Sequence, residues 1–194
     1  MTDTFRTSDP ASAAIDPRQP HLILVGLPGA GKSTVGAAVA ERLGRTFLDL
    51  DREIERRQGV PISQIFAEKG EHFFRKLERE LTQEIREFGG MVLSPGGGWI
   101  TDPEVVALLR PPGVIVYLRV RPETAIKRLG PERATRPLLM RPDPVGELKR
   151  LFDQRRAAYE TADHTIDTET LDVQGVVEKI TQLASGPRGG YVSP

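Results

Sequence analysis

The chain has no cysteine, which excludes disulfides, thiolate metal sites and thiol catalysis. No apolar stretch approaches the roughly 18 residues that a membrane helix requires, so no spanning segment is expected. Neither sign of charge is in excess: Lys plus Arg and Asp plus Glu both number 27, for a formal net charge of zero. Nucleic acids and anionic membranes normally select a basic surface, so neither is expected as the main partner. Histidine is scarce, and His21, His72 and His164 show no metal-ligand spacing; they read as structural or surface residues. The polar first 20 residues lack the cationic start and apolar core of a secretory signal. Together with the missing cysteines this gives the expectation of a cytoplasmic protein, and the balanced charge favours a monomer.

What the sequence does contain is Gly26-Leu27-Pro28-Gly29-Ala30-Gly31-Lys32-Ser33-Thr34, placed between the apolar run Leu22–Val25 and a helical pattern reaching Leu43. It fits G-x-x-x-x-G-K-[ST] in full and in the strand-to-helix context that the motif demands. Glycines let the backbone turn its N–H groups inward, and those donors with a helix N-terminus make an anion cradle. Lys32 is placed to reach the β- and γ-phosphates of a nucleoside triphosphate and the Ser33 hydroxyl to hold Mg²⁺.

At 194 residues the chain is long enough for one α/β domain with a full core. Residues 1–20 read as a disordered tail, 21–184 as the domain and 185–194 as a flexible tail. Strands are expected at 21–25, 46–51, 91–94, 114–118 and 164–167. Helices are expected from Ser33 to Leu43, Asp51 to Gln58, around Ile62–Phe66, from Glu71 to Phe88, Pro103 to Arg110, Pro122 to Leu129, Pro144 to Tyr159 and Val173 to Leu183. This alternation predicts a parallel sheet of five strands flanked by helices. Between Gly130 and Pro144 the apolar period lapses, and a long irregular segment inside a domain is usually a functional loop; a mobile lid is expected at about 129–143.

Ligands in open α/β sheets bind at the carboxyl ends of the strands, so the remaining chemistry is sought there. Asp49 and Asp51 stand two apart at the end of the second expected strand, where an extended backbone points both the same way. Their shared charge calls for a cation or ligand hydroxyls; alternatively, one of them caps the next helix. Arg75 and Glu78 share a helix face at i, i+3, either as a surface ion pair or as an arginine fixed for a carboxylate substrate. Gly96-Gly97-Gly98 after a buried strand suggests a backbone lying against a ligand and donating N–H groups to it.

Taken in order, Gly-Leu-Pro-Gly-Ala-Gly-Lys-Ser-Thr, Asp-Leu-Asp, Phe-Arg-Lys-Leu-Glu, Gly-Gly-Gly, Arg-Pro-Leu-Leu and Arg-Arg-Ala-Ala-Tyr resemble the shikimate kinases from about residue 22 to 182. The resemblance implies a P-loop kinase fold like that of nucleoside monophosphate kinases. It also implies ATP and Mg²⁺, and transfer of the γ-phosphoryl group to the 3-hydroxyl of shikimate on the route to aromatic amino acids. It assigns Gly29, Ala30, Gly31, Lys32, Ser33 and Thr34 to the nucleotide, with Ser33 on Mg²⁺ and Asp49 reaching that ion through water. Asp51 takes the shikimate hydroxyls and is the candidate base. Arg75, set by Glu78, and Arg155 take its carboxylate beside Gly96, Gly97 and Gly98. Ile62, Phe66, Phe74, Pro137 and Leu138 line the ring. Arg136 is the lid arginine on the transferring phosphate, and Arg128 lies over the adenine. The chain departs from the family pattern at Pro95 and at Trp99, which follows the glycines next to the expected substrate site. Another acid kinase, such as a gluconate kinase, and a catalytically silent binder of shikimate and ATP are the alternative readings.

Overall fold

In the computed structural model, residues 19–130, 139 and 142–185 are described. Five parallel strands form one sheet in the order β2-β3-β1-β4-β5. They are β1 (Leu22–Val25), β2 (Phe47–Asp49), β3 (Val92–Ser94), β4 (Val114–Arg119) and β5 (His164–Asp167). The helices are α1 (Lys32–Leu43), α2 (Leu50–Gln58), α3 (Ile62–Ile85), α4 (Pro103–Leu109), α5 (Pro122–Leu129), α6 (Pro144–Tyr159) and α7 (Val173–Ser185). Both expectations, five parallel strands and flanking helices, hold. The two terminal segments beyond these residues, and Arg136, Pro137 and Leu138 with most of the expected lid, lie outside the described residues.

The central strand β1 is buried along its whole length, and β4 presents Ile115, Val116, Tyr117 and Leu118 to the core. Continuous apolar strands of this kind belong to a parallel sheet covered on both faces. Leu22 of β1 pairs with Val92 on one side and Val114 on the other, and Asp49 pairs with Ser94 across β2 and β3. That register brings the carboxyl ends of β1, β2 and β3 to one edge of the sheet.

One expectation needs correction. The second strand stops at Asp49 and helix α2 starts at Leu50, so Asp51 lies in the first helical turn rather than on extended backbone. The cause is local. The Asp49 carboxylate accepts from the backbone N–H of Arg52 at 3.2 Å, an N-cap that starts the helix one residue after the strand. The break expected at Gly70 is present: φ 78° and ψ 170° interrupt the helical path of α3 there. The sequence reading also missed a single 3₁₀ turn at Trp99–Thr101.

Candidate active site

The P-loop joins β1 to α1. Gly29 and Gly31 have φ of 84° and 93°, the left-handed region that other residues avoid, and a Cβ on Gly29 would run into the carbonyl oxygen of Ala125. The Lys32 ammonium donates to the carbonyls of Gly26 at 3.0 Å and Leu27 at 3.2 Å, so it folds back across the loop. The Ser33 hydroxyl donates to Asp49 Oδ2 at 2.6 Å. A hydroxyl at the start of α1 and a carboxylate at the end of β2 thus meet beside the loop. Of the readings the sequence left open, the cap is present at Asp49: one oxygen caps α2, while the other accepts from Ser33.

Past β3 the chain enters Gly96–Gly98. None of these three glycines has positive φ; they are needed for the space a side chain would take. A Cβ on Gly96 would lie 2.7 Å from Asp51 Oδ1 and 3.3 Å from Glu78 Oε1. On Gly97 it would lie 2.7 Å from Arg155 Nη1 and 3.7 Å from the Tyr159 hydroxyl. On Gly98 it would strike Arg75 Nη2. Helices α2, α3 and α6 therefore send Asp51, Arg75 with Glu78, and Arg155 onto one stretch of bare backbone. The sequence placed these residues in one site; that they pack directly on the glycines was visible only in three dimensions.

Arg75 is held by two carboxylates of its own helix, Glu78 at 2.7 Å and Glu71 at 3.1 Å. Glu78 is 2% exposed. Burial pushes its carboxyl up to about 7 despite the opposing pull of Arg75, with the negative charges of Asp51 and Asp102 adding to the rise. Arg75 also stands 5.4 Å from the centre of the Phe74 ring, and Phe74 packs on Phe66 with centroids 5.1 Å apart. Phe74 is core while Phe66 is 36% exposed, so an apolar flank borders the charged cluster and opens towards solvent.

Tyr159 went unassigned in the sequence reading. It is fully buried, donates its hydroxyl to the Gly97 carbonyl at 3.2 Å and stacks on Tyr117 at 4.8 Å. Its place one helical turn after Arg155 is the signal that could have found it. Trp99, next to the glycines in sequence, turns its indole away from them into the core. It donates to the Thr82 hydroxyl at 3.1 Å, and Thr82 passes the bond to the Glu78 carbonyl at 2.7 Å. Arg128, at the end of α5, is docked on Thr168 beyond β5 through the hydroxyl at 2.8 Å and the carbonyl at 2.6 Å.

The family model for shikimate kinase matches residues 28–185. A shikimate kinase of Thiobacillus denitrificans is 42% identical over 160 residues, covering 82% of this chain and 87% of the relative. Among solved structures, the shikimate kinase of Acinetobacter baumannii in complex with shikimate superposes with a TM-score of 0.80 at 39% identity, covering 86% of this chain and 93% of that one. A gluconokinase of Sinorhizobium meliloti, at 18% identity, 86% and 95% coverage and a TM-score of 0.53, shares the fold alone.

Proposed function

The chain belongs to the shikimate kinase family, and we propose from that premise how its residues divide the work of phosphorylating the 3-hydroxyl of shikimate. The protein is an ATP-dependent kinase acting on a hydroxyl of shikimate. The observation that carries the assignment of roles is the convergence of Asp51, Arg75, Glu78 and Arg155 on Gly96–Gly98, at the same sheet edge as the P-loop.

In this proposal Arg75 and Arg155 grip the substrate carboxylate, for which a planar guanidinium offers paired donors. With the carboxylate fixed at one end, the ring lies across the glycines and its hydroxyls come to Asp51, which takes the proton from the attacking oxygen. Ile62, Phe66 and Phe74 flank the ring, with Pro137 and Leu138 closing over it. Lys32 exchanges its loop carbonyls for the β- and γ-phosphates, Arg128 lies over the adenine and Arg136 meets the transferring group. Phosphoryl transfer depends on such positioning and charge neutralisation more than on covalent chemistry by the protein. Closure over both substrates also keeps water from intercepting the phosphoryl group.

Mg²⁺ is a hard cation that takes oxygen ligands and keeps several waters. The hydroxyl–carboxylate pair of Ser33 and Asp49 fits it, Ser33 as a direct ligand and Asp49 through water. When bound, the ion neutralises charge on the phosphates. No helix among the described residues is long and apolar enough to cross a membrane; cytoplasmic location and a monomeric state complete the proposal.

The test is a panel of hydroxy acids offered with ATP and Mg²⁺. ADP should form with shikimate, with the new phosphate on the 3-hydroxyl, and not with gluconate. ADP formation from gluconate alone would replace this reading with the gluconate-kinase one, and binding of shikimate without ADP would replace it with the silent binder.

A further inference from the structure

Glu78 does more than the holding of Arg75 requires. One oxygen, Oε2, accepts from Arg75 Nη1 at 2.7 Å. The other, Oε1, is buried with no hydrogen-bond partner among the described residues and points at Gly96, where Asp51 Oδ1 also lies. The charged groups that face it come from four parts of the fold. Arg75 stands on its own helix, backed by Glu71; Asp51 is on α2; Asp102, paired with Arg79, precedes α4; and Arg155 of α6 reaches the next glycine. Among the described residues the one cation in direct contact, Arg75, is therefore set against the carboxylates of both Asp51 and Asp102.

An acidic substrate seated on Arg75 and Arg155 adds another negative charge to this cluster and draws on the guanidinium that stabilises ionised Glu78. A like charge within a few ångströms disfavours the ionised form, and so does losing the share of a cation. We propose that shikimate binding is coupled to uptake of one proton from solvent by Glu78, which becomes a neutral carboxyl as the substrate carboxylate takes over Arg75. The exchange balances: one anion and one proton enter, Glu78 loses its charge, and the net charge of the buried cluster is unchanged. The proton is well placed on Oε1, the oxygen that Arg75 leaves unbound and that faces Gly96. A carboxyl already raised to about 7 in the free protein makes the exchange cheap near neutrality, since both protonation states are then populated. The inference rests on the reading of Arg75 and Arg155 as anchors of the carboxylate.

Calorimetric titration of the full-length protein with shikimate, without nucleotide, in buffers of different ionisation heat tests it. At pH 7 the apparent enthalpy should vary with the buffer's heat with a slope of up to about half a proton taken up, shrinking towards zero as the pH falls below the range of Glu78. Above pH 7 the affinity should weaken by up to about tenfold per pH unit. Glu78→Gln should bind with a buffer-independent enthalpy. Equal enthalpies in all buffers for the wild type, or proton release, would overturn the coupling; uptake that survives in Glu78→Gln would overturn its assignment to Glu78. No binding at all would instead overturn the reading of the anchors. Infrared difference spectra of the wild type need no variant: shikimate should increase the carbonyl band of a protonated carboxylic acid, and an unchanged band contradicts the proposal.

Discussion

The Ser33 hydroxyl donates to Asp49 Oδ2 at 2.6 Å, joining the first turn of the P-loop helix to the end of the neighbouring-but-one strand. The pair is a ready set of oxygen donors, and it predicts a metal phenotype. Ser33→Ala should raise the Mg²⁺ concentration needed for half-maximal turnover while leaving shikimate binding without nucleotide unchanged. Titrating Mg²⁺ at saturating ATP checks it; an unaltered Mg²⁺ curve would remove Ser33 from the ion.

Asp51→Asn keeps the shape of the side chain and removes its capacity to take a proton. A positioned general base contributes about 10²–10⁴-fold, so kcat should fall by roughly that factor. Nucleotide affinity, measured by fluorescent-analogue displacement, should stay within about twofold, because Asp51 faces the glycines rather than the P-loop.

Gly97→Ala places a methyl group 2.7 Å from Arg155 Nη1, too close for both to stay. The guanidinium must move, at the cost of a charge-assisted contact to the substrate carboxylate. The KM for shikimate should rise by roughly tenfold or more, with the KM for ATP little changed. An effect confined to ATP would show that the carboxylate site has been misplaced.

The same three glycines mark the boundary of what the sequence discloses. The P-loop, the five strands and most helices were legible because their signals are local: apolar runs, caps and helix-opening prolines. Asp49 and Asp51 were misread as neighbours on one strand, since an N-cap and a strand end can be written by the same residue. Gly96–Gly98 read in the sequence as backbone lying against a ligand, but the side-chain packing they permit does not show along the chain. Their conformations are ordinary, and what they lack is a Cβ in the path of Arg75, Arg155 and Asp51, a fact about other helices. The inward turn of Trp99 towards Thr82 is likewise a matter of packing between α3 and the loop, with no pattern along the chain to announce it.

His21, at the start of β1, is 5% exposed and accepts the backbone N–H of Met91 at its Nδ1, 3.3 Å away. That bond requires an unprotonated Nδ1, and burial pushes the imidazole below its ordinary value. The unfolded chain therefore takes up a proton at about pH 6.5 that the folded chain refuses, and His21 costs stability as the pH falls through that value. Glu78, raised to about 7, acts in the opposite sense, since the folded chain takes up its proton first as the pH falls. His21→Asn, which offers an oxygen in place of Nδ1, should cost about 1 kcal/mol at pH 8. Its melting temperature should fall less than that of the wild type between pH 8 and 5.5. A parallel fall in both proteins would take His21 out of the acid response.

The arrangement of Arg75, Arg155 and Asp51 around Gly96–Gly98 is the claim on which the assignment of roles depends. A crystal structure of the protein with shikimate and ADP tests it directly. The account predicts the shikimate carboxylate between the guanidinium groups of Arg75 and Arg155, and the 3-hydroxyl within hydrogen-bonding distance of the Asp51 carboxylate. Shikimate bound with its carboxylate away from both arginines, or with Asp51 out of reach of any hydroxyl, would contradict it.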